Sequence, residues 1–399
     1  MAYKFANPFR PGAGHPPPYL AGRGQEIHEF SKLLDQTVIL ENMVLTGLRG
    51  VGKTVLLDAR LKPTGINAGW LWVGTDLGQD ATLSESNIAI RLMTDLAVAT
   101  RHIVIGQKQA REIGFHQKYV EKHLDYATLT QAFTSTPGLV SDKIRAVLEF
   151  VWDCIKNTST KGIVFAYDEA QSMTDHAAKG QYPLSLMLDC FQSIQKKEIP
   201  FMLIMTGLPT LFPKLIEART FAERMFHIVT LDRLSQEESR EAIVKPIDKE
   251  NCPVKLSEEG IQEIIKHSGG YPYFIQFICK EAYDSYLQQQ EARIDEPQVY
   301  ASDIIRKLDT DFFSGRWSKA TDRQRELLAV VAELGAAGGE FTLQQVAAKS
   351  HDLLNNPFST SQISQMFKKL SGIGLVYKNR HGKYAFAVPL MEEFIKRQG

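Results

Sequence analysis

Residues 43–57 read MVLTGLRGVGKTVLL, and the fold follows from them. Met43 to Leu45 is a short apolar run of the kind that forms a buried strand. Gly47-Leu48-Arg49-Gly50-Val51-Gly52-Lys53-Thr54 comes next, and Val55, Leu56 and Leu57 open a helical pattern. Strand, glycine loop and helix in that order are the context a phosphate-binding P-loop requires. Gly47, Gly50 and Gly52 let the backbone turn tightly. The N–H groups of Gly47, Arg49, Gly50, Val51, Gly52, Lys53, Thr54 and Val55 can then point at one anion. The start of the following helix adds its positive dipole end. Lys53 is expected to reach the β- and γ-phosphates, and the Thr54 hydroxyl to ligate Mg²⁺. The expected cofactors are ATP and Mg²⁺.

A second apolar run, Ile163 to Tyr167, has the continuous hydrophobicity of a central parallel strand. It delivers Asp168 and Glu169 at its carboxyl end, where open α/β sheets place their ligands. Behind a P-loop, Asp168 is expected in the Mg²⁺ shell and Glu169 as the base that polarises the attacking water. Phe201 to Met205 reads as the next buried strand and ends at Thr206-Gly207-Leu208-Pro209. Thr206 either hydrogen-bonds the γ-phosphate or the lytic water, or simply closes the strand in a turn.

The flanks are less regular. Residues 1–19 are rich in proline and glycine and read as an extended arm. Glu26, Ile27, Phe30, Leu33 and Leu34 have helical spacing, and Gly69 to Val73 reads as a strand. Thr82 to Val104 and Leu139 to Ile155 read as helices. Residues 105–137 are polar with no clean period. Leu211 to Glu223 reads as a helix carrying Arg219, with Arg224 just beyond, and Phe226 to Leu231 as a strand. Helices with acidic first turns follow Ser235 and Ser257, and Gly269-Gly270-Tyr271-Pro272 breaks the chain before another.

From Thr321 three short helical patterns precede a hairpin. Its arms, Leu375 to Tyr377 and Lys383 to Phe386, flank Asn379-Arg380-His381-Gly382. That is a winged helix. Its third helix offers the polar residues Thr360, Ser361, Gln362, Gln365 and Lys369; the wing carries Lys378, Arg380 and Lys383. From Arg316 onward there are twelve Lys and Arg against seven Asp and Glu, while the whole chain has 46 of each. The basic charge is therefore local. Taken alone, these residues suit either duplex DNA or a protein partner.

With 399 residues, 44% apolar and 23% charged, the chain has room for two or three globular domains. The expected boundaries are a 1–19 arm, a 20–232 P-loop core, a 233–290 helical lid, a 291–320 helical linker and a 321–399 winged helix. Four scattered cysteines argue against a disulfide framework or zinc site and for a reducing compartment. No run approaches the ~20 apolar residues of a membrane span, and the N-terminus lacks a signal-peptide core. The expected setting is the cytoplasm, away from membranes. No Asn-Lys-x-Asp run for guanine and no second substrate pocket is legible, which disfavours a GTPase or a metabolic kinase.

The order of motifs carries a resemblance. Gly22-Arg23 with Glu26, the P-loop, apolar-Asp-Glu-Ala-Gln, Thr-Gly-Leu-Pro, an Arg-bearing helix, Gly-Tyr-Pro and a winged helix together resemble AAA+/STAND-type P-loop ATPases. Archaeal origin-recognition (Orc/Cdc-type) initiator ATPases and their prokaryotic kin look nearest. The resemblance runs from about residue 19 to the end. It implies an α/β P-loop core with a parallel sheet, a helical lid and a C-terminal winged helix. It places Gly22-Arg23 beside the adenine and Pro272 in a nucleotide-facing Gly-x-Pro. Thr206 becomes the γ-phosphate sensor. Arg224, or else Arg219, becomes an arginine finger for a neighbouring subunit, so that a homo-oligomer is implied. The lid lacks the arginine usual in AAA+ proteins, which favours a slow switch over a sustained motor. The expected function is an ATP-hydrolysing, oligomerising switch that binds double-stranded DNA. The alternative is a STAND-like signalling ATPase, as in antiviral defence, whose winged helix holds a protein partner or effector.

Overall fold

The computed structural model describes residues 7–12, 15–78, 80–110, 118–250, 252, 255–292, 301–335, 339–380 and 382–398. They form two compact units. Gly24–Thr46 with Leu56–Thr230 make one; Met1–Arg23, Gly47–Val55 and Leu231–Gly399 make the other.

The first unit is built on a five-stranded sheet. Its strands are β1 (Asn42–Gly47), β2 (Trp70–Val73), β5 (Gly162–Tyr167), β6 (Phe201–Gly207) and β7 (Phe226–Leu231), in the order β2-β5-β6-β1-β7. β1 with β6, β5 with β6 and β2 with β5 pair in parallel. β1, β5 and β6 are buried along their whole length, as their unbroken apolar runs require. Helices Glu85–Thr100, Val140–Ile155 and Pro183–Gln195 contribute buried Leu92, Val147, Phe191 and their neighbours to the core. Phe165 meets Phe191 edge-on, with ring centroids 4.9 Å apart.

Register decides what the sheet can hold. Tyr167 pairs with Met205 and Leu45 with Thr206, so three carboxyl ends finish side by side. One polar network fixes β1 from below. Asn42, fully buried, donates to Gln195 Oε1 at 3.1 Å and to the Met225 carbonyl at 3.2 Å. Its own oxygen accepts from Gln195 Nε2 and from the Leu203 N–H, both at 2.7 Å. Every polar atom of the amide is satisfied, which is the condition for burying it.

Three local readings change. The helix expected to run to Val104 ends at Thr100, whose hydroxyl bonds both the Leu96 and the Leu124 carbonyls at 2.8 Å. Part of the polar stretch 105–137 is an antiparallel hairpin, β3 (Val104–Ala110) with β4 (Lys118–His123), followed by helix Tyr126–Ser135 capped by Asp125. The helix read over 211–223 is two pieces, Leu211–Ala218 and Ala222–Met225, broken at Arg219, whose backbone is extended.

The second unit holds the glycine loop, helices Gln236–Lys249, Glu258–Ser268 and Pro272–Glu291, and the C-terminal helices. Helix Ala301–Leu308 continues through a π turn, Asp309–Phe313, into Ser314–Trp317. Asp322–Ala332, Leu343–Leu353 and Thr360–Gly372 follow, each with a capping box in which Thr321, Thr342 or Ser359 bonds the helix. The wing has three strands: β8 (Glu340–Phe341), β9 (Val376–Arg380) and β10 (Lys383–Phe386), in the order β8-β10-β9. A last helix, Met391–Gln398, absent from the sequence reading, stacks Phe394 on Phe313 at 4.9 Å. Buried residues from Phe274 to Phe394 form one hydrophobic core in this unit. Among the described residues no helix is long and apolar enough to cross a membrane.

Candidate functional site

β1 ends in the glycine loop. Gly50 has φ 81° and Gly52 φ 91°, a left-handed backbone that only glycine adopts without strain. Lys53, 7% exposed, folds its ammonium back and donates to the carbonyls of Gly47 at 2.9 Å and Leu48 at 3.0 Å. A cation thus sits within the curve of the loop. Thr54 and Val55, half-buried, lie in the first turn of helix Lys53–Leu56, which continues through a π turn, Leu57–Leu61, to Asn67.

The loop is held from outside. Arg23, 8% exposed, donates to the Val51 carbonyl at 3.0 Å and the Asp232 carbonyl at 2.8 Å. Its backbone, like that of Gly22, is left-handed, at φ 70° and 64°. The Tyr273 N–H, one residue after Pro272 at the start of its helix, donates to the Gly50 carbonyl at 3.1 Å. Val51 and Gly50 are thereby fixed at two consecutive carbonyls. The Arg23 guanidinium therefore clamps the loop, a role that the motif order did not give it.

In the sheet unit, Asp168, Glu169 and Thr206 come together at the strand ends. Thr206, fully buried, gives its hydroxyl hydrogen to Asp168 Oδ1. The Glu169 N–H donates to the same oxygen at 2.8 Å. Asp168 is 3% exposed, whereas Glu169 is exposed and has φ 52°. A non-glycine residue held left-handed at a strand end is a strained position, of the kind that clusters at working sites. Here the turn buries one carboxylate and presents the next.

Residues beyond the sequence reading complete this end. The Gln171 amide donates to Glu169 Oε2, and its oxygen accepts the Leu208 N–H at 3.1 Å. Lys214 donates to the Gln171 carbonyl at 2.7 Å; burial pushes its pKa below the usual lysine range. Asp76 bridges to Asp168 through the backbone. Desolvation, then the charges of Asp168, Asp58 and Glu169, raise the Asp76 carboxyl above its usual pKa. Asp58 is raised as well, first by desolvation and then, against the pull of Lys62, by Asp168. Four carboxylates thus share one field. Gln171 stood in the motif Asp-Glu-Ala-Gln and was legible there; Asp58, Asp76 and Lys214 carried no sequence signal.

The two candidate finger arginines differ. Arg219 makes a two-pronged pair with Asp189, at 2.8 and 2.7 Å, and a bond to Ser185 Oγ at 2.7 Å. Arg224 is exposed and makes no ion pair among the described residues.

In the winged helix, Gln365, Lys369 and Lys378 are exposed and Lys383 is half-buried. Gln362 is exposed too, but its amide oxygen accepts from the Ser359 N–H at 3.0 Å and hydroxyl at 3.2 Å. That oxygen is spent on the helix cap. The Arg380 side chain and all of His381 lie outside the described residues.

A family model described as a domain of unknown function (DUF8462) matches residues 310–395. The comparison with curated proteins finds no match. Among solved structures, a Walker-type ATPase of Pyrococcus abyssi is similar at 14% identity and TM-score 0.58, over 94% of this chain and 96% of that one. The Aeropyrum pernix ORC2 protein, solved in ADPNP–ADP complexes, is similar at 14% identity and TM-score 0.52, over 97% and 96%. Its ADP form gives 13% and 0.53, over 97% of each chain. The chain has the fold of the Orc-type Walker ATPases: a P-loop core on a parallel sheet, a helical lid and a winged helix.

Proposed function

We propose that this protein is an ATP-driven molecular switch that hydrolyses ATP slowly, assembles with copies of itself and binds duplex DNA through its winged helix. In this reading residues 20–232 are the catalytic core, 233–290 the lid and 321–399 the DNA-facing module. The observation that carries it is the loop 47–54, with its two left-handed glycines and a buried lysine ammonium bonded to loop carbonyls. Triphosphate oxygens are the natural replacement for those carbonyls.

The chemistry follows from the named groups. Backbone N–H groups and Lys53 hold the phosphates. Glu169, exposed beside Gln171, takes the proton of the attacking water. Thr206 stays on Asp168 and fixes its orientation. Arg224 of one copy offsets charge at the nucleotide of the next.

A divalent cation fits the donors present. Asp76 and Asp58 are both held above the usual carboxylate range, first by desolvation and then by the charge of Asp168, as carboxylates short of a counter-cation are. Among the described residues no three His, Cys, Asp or Glu side chains converge on one metal point. Mg²⁺ commonly takes one or two protein carboxylates and completes its shell with phosphate and water. Asp168 would be its carboxylate ligand, and it would neutralise the transferring phosphate.

The test is calorimetric ATP binding and steady-state hydrolysis by the full chain. Lys53→Ala should abolish ATP binding. Glu169→Gln should keep binding and cut turnover by about 10²–10⁴-fold. Unaltered ATP affinity in Lys53→Ala would overturn the assignment.

A further inference from the structure

Two arginines of the second unit reach the glycine loop from different elements. Arg49 is in the glycine loop, and its guanidinium lies 3.7 Å from where a side chain on Gly374 would begin. Gly374, at φ 73°, follows the third helix of the winged helix, so no side chain intrudes on the guanidinium. Arg316 comes from the short helix Ser314–Trp317. Its guanidinium lies over the Phe312 ring at 4.6 Å and donates to the Phe312 carbonyl at 2.9 Å. Phe312 packs on Tyr273, centroids 5.1 Å apart, and the Tyr273 N–H holds the Gly50 carbonyl next to Arg49. Loop, lid and C-terminal module thus meet around these two cations.

Neither arginine makes an ion pair among the described residues, although other basic residues of this unit do. Burial and then the charge of Arg49 lower the Arg316 pKa from its usual value. Like charges brought together at a half-buried contact oppose that contact. A planar guanidinium is shaped to grip phosphoryl oxygens in pairs, and the loop beside it is the phosphate cradle.

We propose that Arg49 and Arg316 form a phosphate-binding pair that takes a phosphoryl group of the nucleotide and makes docking of the C-terminal module on the glycine loop depend on that charge. The proposal rests on the reading of residues 47–54 as a nucleotide cradle. An empty loop leaves two cations uncompensated and a loosened contact. A triphosphate neutralises them and draws residues 312–317 and 372–376 onto the loop.

The experiment uses the full chain and the variants Arg316→Met and Arg49→Met, which keep the apolar stem and remove the charge. ATP and ADP affinities are measured by calorimetry, and amide exchange is followed at 312–317 and 372–376. In the wild type, ATP should protect those amides more than ADP does. Each variant should lose about tenfold or more in ATP affinity, as one charge-assisted hydrogen bond is worth. ADP affinity should change less, and the extra protection should vanish. Thermal unfolding checks the fold; if Arg316→Met does not fold, Arg49→Met carries the same test. An unchanged ATP-to-ADP ratio and unchanged protection in a folded variant would overturn the pair. If the wild type binds neither nucleotide, the cradle reading has failed. Inorganic phosphate then decides the pair alone: protection that Arg316→Met abolishes supports it, and no protection refutes it.

Discussion

Gln171 holds Glu169 from the side: its amide nitrogen donates to the carboxylate while its oxygen accepts the Leu208 N–H. The exposed carboxylate is therefore tied to the loop that follows β6. Gln171→Leu removes both bonds and leaves Glu169 chemically intact. Turnover should fall by about tenfold or more through lost orientation, with ATP affinity unchanged. A loss of affinity equal to the loss of turnover would show instead that Gln171 serves binding.

Arg23 is the clamp on the glycine loop. Arg23→Ala removes two bonds to backbone carbonyls, the buried one of Val51 and that of Asp232. A hydrogen bond to a charged group contributes about 1.5–3 kcal/mol, and the loss here falls on the loop's preorganisation. ATP affinity should drop by roughly 10–100-fold, with exchange at 48–52 accelerated in the free protein. Calorimetry alongside amide exchange reads both, and an unaltered loop would contradict the clamp.

Much of this was legible in the residues. β1, β5 and β6 are unbroken apolar runs, and such runs survive only in the middle of a covered sheet. The loop's glycines have a spacing that few other structures demand. The hairpin 104–123 was not legible, because lysines and glutamines alternate with apolar residues too irregularly to mark a face. The helix Met391–Gln398 does carry an apolar triplet, Met391, Phe394 and Ile395, but eight residues are too short a window to stand out. At the strand ends, Asp168 and Thr206 follow from strand order alone. Asp76, Asp58 and Lys214 reach the same place by tertiary contacts that no local pattern encodes.

Asn42 offers a stability test outside the site. Asn42→Leu is similar in size but strands the Leu203 N–H and breaks the exchange of bonds with Gln195. Each buried polar group left unpaired costs about 1–3 kcal/mol. The urea midpoint should fall at constant slope, by the equivalent of roughly 3 kcal/mol. A variant as stable as the wild type would show that water reaches the network.

The arginines separate by what they already touch. Arg219 is taken up by Asp189 and Ser185 within its own chain, while Arg224 is exposed and unpaired among the described residues. Arg224→Ala should cut hydrolysis by about 10³-fold or more, since fingers contribute 10³–10⁵, and leave ATP affinity and thermal stability in place. Arg219→Ala should lower the melting temperature instead. Activity measured against protein concentration is the check; turnover independent of concentration in a monomeric sample excludes a finger in trans.

DNA contact is tested at the wing. Lys378, on β9, is exposed and Lys383, on β10, is half-buried, and the two flank the turn that ends at Gly382. A hairpin tip with cations on both arms suits phosphate contacts, which position a protein without reading sequence. Replacing Lys378 and Lys383 by alanine should remove about two such contacts. The slope of log affinity against log salt should shrink by roughly 1.8, at about 0.9 per contact. Gln365→Ala should behave differently. Its amide is exposed on the third helix and is not used in the cap that occupies Gln362. Losing it should relax sequence preference by about 1–3 kcal/mol at one base pair and leave the salt slope nearly unchanged. If the full chain binds duplex DNA no more tightly than a chain ending at Gln290, the winged helix grips a protein partner, and a signalling role replaces the DNA-binding one.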